Sequence, residues 1–253
     1  MEGTAWLVVP TFNEAENIEP LVDDARAVLT AAIPGAFRIL IVDDSSPDGT
    51  GAIADRLAER HDDVQVLHRT EREGLGPAYL AGFRVALEAG ATRVLEMDAD
   101  FSHDPADLPR LLAAVDAGAD LALGSRYTDG GRVEDWGLVR RVISRGGCTY
   151  ARTVLGLEVH DLTGGFKCFR REVLEAIDLD SVRSHGYSFQ VEMTLRAIQR
   201  GFVVREVPIT FRDRRLGRSK MSPWIAIEAM LVMPVLRYSR TGPDAPMNER
   251  ERE

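Results

Sequence analysis

Asp98-Ala99-Asp100 directly follows the run Thr92-Arg93-Val94-Leu95-Glu96-Met97. Two carboxylates one residue apart, at the end of a buried strand, repel each other, and a cation between them relieves that repulsion. In an α/β sheet the carboxyl ends of the strands are also where ligands bind. The pattern therefore points to a divalent metal bridging this pair to a substrate phosphate. Three more polar elements stand at strand ends or in loops: Thr11-Phe12-Asn13-Glu14, Asp43-Asp44 and Gly124-Ser125-Arg126. Strand ends of a doubly wound sheet converge on one edge, so the first two can share a crevice with the Asp pair. Asp, Asn and Ser after strands also serve plain turn and capping chemistry. Asp43-Asp44 fits either use.

The elements that must position these residues alternate in type. Ala5 to Val9 is a short apolar run closed by Pro10, as expected of a buried strand. Asn13 is placed to cap the helix that follows, with Glu14 and Glu16 in its first turn. Further strands are predicted at Phe37 to Val42, Val64 to Leu67, Val94 to Met97 and Leu121 to Leu123. Helix spacing runs from Gly74 to Ala89, and Asp104-Pro105 opens another helix. Repeated strand–helix units predict an α/β fold, a mostly parallel sheet covered on both faces. Beyond it, Leu138 to Leu157 reads as a helix with arginines on one side and Val139, Val142, Ile143, Val154 and Leu155 on the other, weakened by Gly146-Gly147. Phe189 to Arg200 is a further helix, and Phe202-Val203-Val204 and Val207-Pro208-Ile209 are short extended pieces, Pro208 marking an edge or a break. The organisation predicted is a catalytic domain over 1–221, an apolar C-terminal helix over 222–240 and a charged, disordered tail over 241–253.

At 253 residues the chain can bury a full core. Its net charge of −9 argues against general nucleic-acid binding. The charge is uneven: Arg140, Arg141, Arg145 and Arg152 form one basic segment, and Arg212, Arg214, Arg215, Arg218 and Lys220 another. An acidic body with two basic patches suits a localised anionic partner, a phosphate ester or an anionic lipid surface. Cys148 and Cys168 have no metal-ligand or redox spacing and read as free thiols. No stretch approaches the roughly 20 apolar residues that span a bilayer, and the N-terminus lacks a signal-peptide pattern. A soluble or peripheral protein is predicted. His103 stands nearest the Asp pair and reads as a supporting or helix-start residue, and Gly74-Leu75-Gly76 lacks the rest of either nucleotide fingerprint.

Six segments, in order from residue 9 to 220, give the chain a specific resemblance. They are Val9-Pro10-Thr11-Phe12-Asn13-Glu14, Val42-Asp43-Asp44-Ser45-Ser46-Pro47-Asp48-Gly49-Thr50, Met97-Asp98-Ala99-Asp100, Gly124-Ser125-Arg126-Tyr127, Asp161-Leu162-Thr163-Gly164-Gly165-Phe166 and Phe211 to Lys220. With these the chain resembles the inverting nucleotide-sugar glycosyltransferases of family 2, GT-A fold, and within them the dolichol- (polyprenol-) phosphate mannosyltransferases. The resemblance implies that Pro10, Phe12, Glu14, Val42 and Asp44 hold the nucleoside of GDP-mannose. It implies that Asp98 and Asp100 bind Mg²⁺ or Mn²⁺ on the diphosphate, with Ala99 presenting backbone. Arg126, Arg214 and Lys220 would contact phosphates and, with Asp100, carry catalysis. Phe12 is often Tyr in that family, so only stacking remains there. Some members carry Gln, a third metal ligand, where Ser102 stands.

The implied acceptor, a polyprenyl phosphate, is already an anion and needs no general base, so the site's work is charge management. In-line attack implies inversion, to a β-mannosyl phosphate. The lipid acceptor implies a peripheral protein at the cytoplasmic face of a membrane and leaves room for a separate membrane-anchoring protein. Leu138–Leu157 and Pro223–Tyr238 are candidates to lie in the interface, and the second fits equally well packing on the core or on a partner subunit. The same machinery could use another donor, such as UDP-glucose with a polyprenyl phosphate. A haloacid-dehalogenase-like phosphatase also sets D-x-D after a strand. There the motif comes early with Thr or Val two residues on; here it lies mid-chain and Ser102 holds that place.

Overall fold

Every residue of the run Ala5–Thr11 is buried, and this strand, β1, lies inside the sheet. The computed structural model describes residues 3–182, 184, 186–213, 233, 234 and 237. The remaining strands in chain order are β2 (Phe37–Asp43), β3 (Val64–His68), β4 (Arg93–Glu96), β5 (Leu121–Ser125), β6 (Arg132–Val133), β7 (Lys167–Arg170), β8 (Val204–Pro208) and β9 (Thr210–Phe211). The helices are α1 (Ile18–Ala32), α2 (Thr50–Arg60), α3 (Leu75–Glu88), α4 (Leu108–Asp116), α5 (Leu138–Leu155), α6 (Arg171–Ala176) and α7 (Gly186–Gln199). Seven strands form one sheet in the order β3-β2-β1-β4-β7-β5-β8, and β6 pairs with β9 in a small parallel ribbon.

Alternation along β1 explains the two layers. Ala5, Leu7 and Val9 join a core with α1, α2 and α4, whereas Trp6 and Val8 join one with α3, α6 and α7. On that second face α3 lies close against β1: a Cβ at Gly82 would stand 2.4 Å from Val8 Cγ1.

Chain order makes a crevice. From β1 the chain steps outward to β2 and β3, then α3 carries it back to β4 on the other side of β1. The direction of winding reverses between β1 and β4, the place where open α/β sheets bind ligands. Thr11 and Met97 lie at this mouth. Pro10 does not end β1 as expected but lies within it, paired with Val42. Val8 O accepts from Met97 N on the β4 side and Thr11 O accepts from Asp44 N on the β2 side. Alternation puts the proline nitrogen on the β4 side, past the last residue of β4, where no ladder bond is lost.

Four of the six pairings in the main sheet are parallel; β7 runs antiparallel to both β4 and β5. That reversal has a functional result. A parallel strand brings its following loop to the ligand edge, but a reversed strand brings the loop before it, here Asp161–Phe166.

Several local expectations need correction. Asn13 does not cap α1: it is in the left-handed region (φ 57°), and the helix starts at Ile18 after a turn. Asp104 does cap, accepting from Ala106 N, but the turn it opens is a short 3-10 segment before α4. The α5 helix runs unbroken through Gly146-Gly147. Its apolar residues do not share one side: Leu155 is buried, while Val139, Val142 and Ile143 are exposed. β7, α6 and the β6–β9 ribbon are short and were not foreseen. The expected C-terminal helix over 222–240 and tail over 241–253 lie almost wholly outside the described residues.

Candidate active site

The strand ends gather the predicted groups as chain order requires. On the β2 side of the crevice, Pro10 and Val42 are buried neighbours in the β1–β2 ladder. Asp44, also buried, accepts from Arg69 Nη1 at 2.5 Å and Gly74 N at 2.9 Å, so it staples the loop that leads into α3. Phe12 carries the Arg72 guanidinium over its ring at 3.9 Å. Glu14 N donates to Thr50 Oγ1 at 2.9 Å, and its carboxylate accepts from Asn17 Nδ2 at 2.8 Å. These bonds tie the loops after β1 and β2 into one wall.

Asp98 and Asp100 follow β4 across the crevice. Tyr79, on α3, donates its hydroxyl to Asp98 Oδ1 at 3.0 Å. Asp100 is buried and accepts from Ser102 N at 3.0 Å, across Phe101 in the left-handed region (φ 58°). Ala99 between them is buried. Among the described residues no three His, Cys, Asp or Glu side chains cluster closely enough to hold a metal by themselves. A carboxylate pair alone suits Mg²⁺ or Mn²⁺, which bind few protein oxygens and complete their shell with water and phosphate. The donor set fits such an ion.

Arg126 closes the third side. It follows β5, and its N, Nε and Nη2 donate to Asp161 at 2.9, 2.7 and 2.6 Å, with Thr163 Oγ1 a further acceptor at 2.8 Å. Burial works against charge on both partners, but each outweighs it for the other: the guanidinium pKa is raised and the Asp161 pKa lowered. The arginine is thus held charged and rigid, with the rings of Tyr127, Trp136 and Phe211 around it. The predicted Arg214 and Lys220 lie outside the described residues. Arg212, two residues before Arg214, donates its N to Ser102 O at 3.2 Å, beside the Asp100 loop.

Three features escaped the sequence. The Asp161–Arg126 clamp depends on β7 being reversed. Glu96 and Lys167 form a fully buried ion pair at 3.0 Å, facing each other in the β4–β7 register, with Gln190 holding the ammonium too. Charged residues in otherwise apolar strands were the available signal, but they pair only once those strands are known neighbours. Tyr79 sits among apolar residues and gave no signal. His103 supports the site: its buried ring stacks on Phe166 at 5.0 Å and meets Phe211 edge-on. Burial lowers its pKa to about 4.

A crevice at the switch point of a mainly parallel sheet, with paired carboxylates and a fixed arginine, suits an enzyme that works on phosphate esters. The Glycosyl transferase family 2 profile matches residues 6–178, and the chain belongs to that family. It is a glycosyltransferase. It is 54% identical over 225 residues to polyprenol monophosphomannose synthase of Mycolicibacterium smegmatis, covering 88% of this chain and 83% of that one. It is 49% identical over 224 residues to undecaprenyl-phosphate mannosyltransferase of Micrococcus luteus, covering 88% and 90%. Dolichol-phosphate mannosyltransferase of Pyrococcus furiosus is 36% identical over 220 residues, covering 85% and 58%. Among solved structures, glucosyl-3-phosphoglycerate synthase from Mycobacterium tuberculosis with Mn²⁺, UDP and glucosyl-3-phosphoglycerate superposes with a TM-score of 0.67. The identity is 18%, covering 92% of this chain and 80% of that one. The same enzyme with Mn²⁺, UDP and phosphoglyceric acid gives 0.69 at 19%, covering 92% and 78%. These likenesses bear out the α/β, GT-A-type fold.

Proposed function

We propose that the chain transfers mannose from GDP-mannose to a polyprenyl (dolichyl-type) monophosphate with inversion, giving a β-mannosyl phosphate. The observation that carries the reaction type is the Asp98/Asp100 pair at the β1/β4 switch point, with a buried, clamped arginine nearby. The choice of substrates rests on the three mannosyl-lipid relatives.

Asp98 and Asp100 would hold the Mg²⁺ or Mn²⁺ that accompanies the diphosphate. That ion supplies charge neutralisation for the departing nucleotide. Pro10, Phe12, Glu14, Val42 and Asp44 line the nucleoside end, and Ala99 offers backbone. Arg126 uses Nε and Nη2 on Asp161, and Nη1 takes no part in those bonds. A guanidinium fixed before substrate arrives stabilises phosphate charge without reorganising. Arg214 and Lys220 are assigned the same task on sequence alone. The lipid phosphate attacks as an anion, so no side chain need remove a proton.

The acceptor places the enzyme at a membrane surface, and we assign it to the cytoplasmic face as a peripheral protein. Among the described residues no helix is long and apolar enough to cross a membrane. The exposed Leu138, Val139, Val142 and Ile143 beside Arg141 and Arg145 support the assignment of α5 to the interface.

Labelled GDP-mannose, polyprenyl phosphate and Mg²⁺, Mn²⁺ or EDTA test the reading, with UDP-glucose in parallel. Butanol-extractable label from GDP-mannose, lost with EDTA, is expected. Label from UDP-glucose alone would move the donor assignment, and no lipid-linked label under any metal would overturn the proposal.

A further inference from the structure

Tyr79 lies in the second turn of α3 with its side chain wholly buried. Its ring stacks between Phe83 and Phe189, with centroids 5.8 and 6.0 Å away. A buried tyrosine hydroxyl needs a partner, and the one it takes is Asp98 Oδ1 at 3.0 Å. Gly165 brings bare backbone against the same carboxylate: a Cβ there would stand 3.5 Å from Asp98 Oδ2.

We propose that Tyr79 is a positioning residue for metal binding, its hydroxyl fixing one oxygen of Asp98 so that the carboxylate is aimed at the divalent ion. The proposal rests on the assignment of Asp98 and Asp100 as metal ligands. Carboxylates that ligate metals are commonly held by outer hydrogen bonds of this kind. The type of donor matters. A lysine or arginine in this place would neutralise Asp98 and compete with the metal, whereas a phenol orients the carboxylate and leaves its charge intact.

The same helix is capped at its N-terminus by Gly74, whose N–H Asp44 holds at 2.9 Å. One rigid element therefore touches both the nucleoside end and the metal end of the crevice. A purely structural hydroxyl would cost stability on removal and leave metal affinity alone. A positioning hydroxyl would change metal affinity.

Tyr79→Phe keeps the ring between its two neighbours and removes only the oxygen. Mn²⁺ binding is read by electron paramagnetic resonance, with and without GDP, on wild type, Tyr79→Phe and Asp98→Asn. The expected result is Mn²⁺ affinity roughly 10- to 100-fold weaker in Tyr79→Phe, with cooperative thermal unfolding retained, and binding lost in Asp98→Asn. Unchanged affinity in Tyr79→Phe with loss in Asp98→Asn overturns the role of Tyr79 and leaves the metal assignment standing. Wild-type affinity in Asp98→Asn overturns the metal assignment and this proposal with it. A check that needs no substitution uses wild-type protein labelled at tyrosine ¹³Cζ. Mg²⁺ with GDP should shift a tyrosine resonance, and a spectrum in which none moves overturns the proposal.

Discussion

Arg126 and Asp161 each carry a charge into a place where neither would survive alone. Arg126→Met strands a buried carboxylate, a change that costs about 3–5 kcal/mol, to be measured as a lower denaturant midpoint at pH 7. Asp161 holds its proton less tightly folded than unfolded. Its contribution is therefore complete above the ordinary carboxylate pKa of about 3.9 and drains away as pH falls toward the folded value. Arg126→Lys keeps the charge but loses the fork, so we expect most turnover to be lost with less loss of stability. His103 acts in a higher window. Its folded pKa is lowered to about 4, so below about 6.5 the unfolded chain binds the proton first and stability falls with pH. His103→Phe should flatten that slope: between pH 7 and 5 its melting temperature should fall less than the wild type's. Equal falls would show that the ring does not titrate as described. The acidic pair after a strand was legible at this scale because charge at a strand end stands out against apolar neighbours. Asp161 was visible as part of a segment but without a role, because its partner lies 35 residues away in sequence.

At the scale of elements, α5 carries two faces that sequence merged into one. Cys148, Ala151 and Leu155 pack inward, and Tyr127 and Ser144 share a hydroxyl hydrogen bond at 2.7 Å. Toward the N-terminus Leu138 and Val139 are 77% and 72% exposed. Substitution of exposed residues usually shifts stability by no more than about 0.5 kcal/mol, so Leu138→Glu with Val142→Glu should leave the melting temperature nearly unchanged. The pair should weaken sedimentation with anionic vesicles several-fold. Undiminished sedimentation would remove α5 from the membrane interface. In the first half of the chain, apolar runs closed by Pro, Asp or Gly marked β1, β2 and β4 as buried strands. That signal is missing from β7, whose four residues include a lysine and an arginine and show no alternation to read.

For the whole molecule, the strand order was legible only as far as a mostly parallel sheet, since no local pattern reports which strands become neighbours. One consequence of the reversed β7 concerns synthesis. Once residue 96 has left the ribosome, β1, β2, β3 and β4 can pair with one another, yet the far edge of β4 stays open. Its native cover, β7, ends at Arg170, more than seventy residues later. Through that interval the nascent chain displays an unpaired strand edge bearing Val94 and Leu95, a template for the wrong partner. A chain ending after α4 should therefore aggregate on release, while one extended through β8, which covers the outer edge of β5 once β7 is in place, should stay dispersed, as light scattering during cell-free translation would report. The strand that brings the arginine clamp to the crevice also sets how long the growing chain depends on protection.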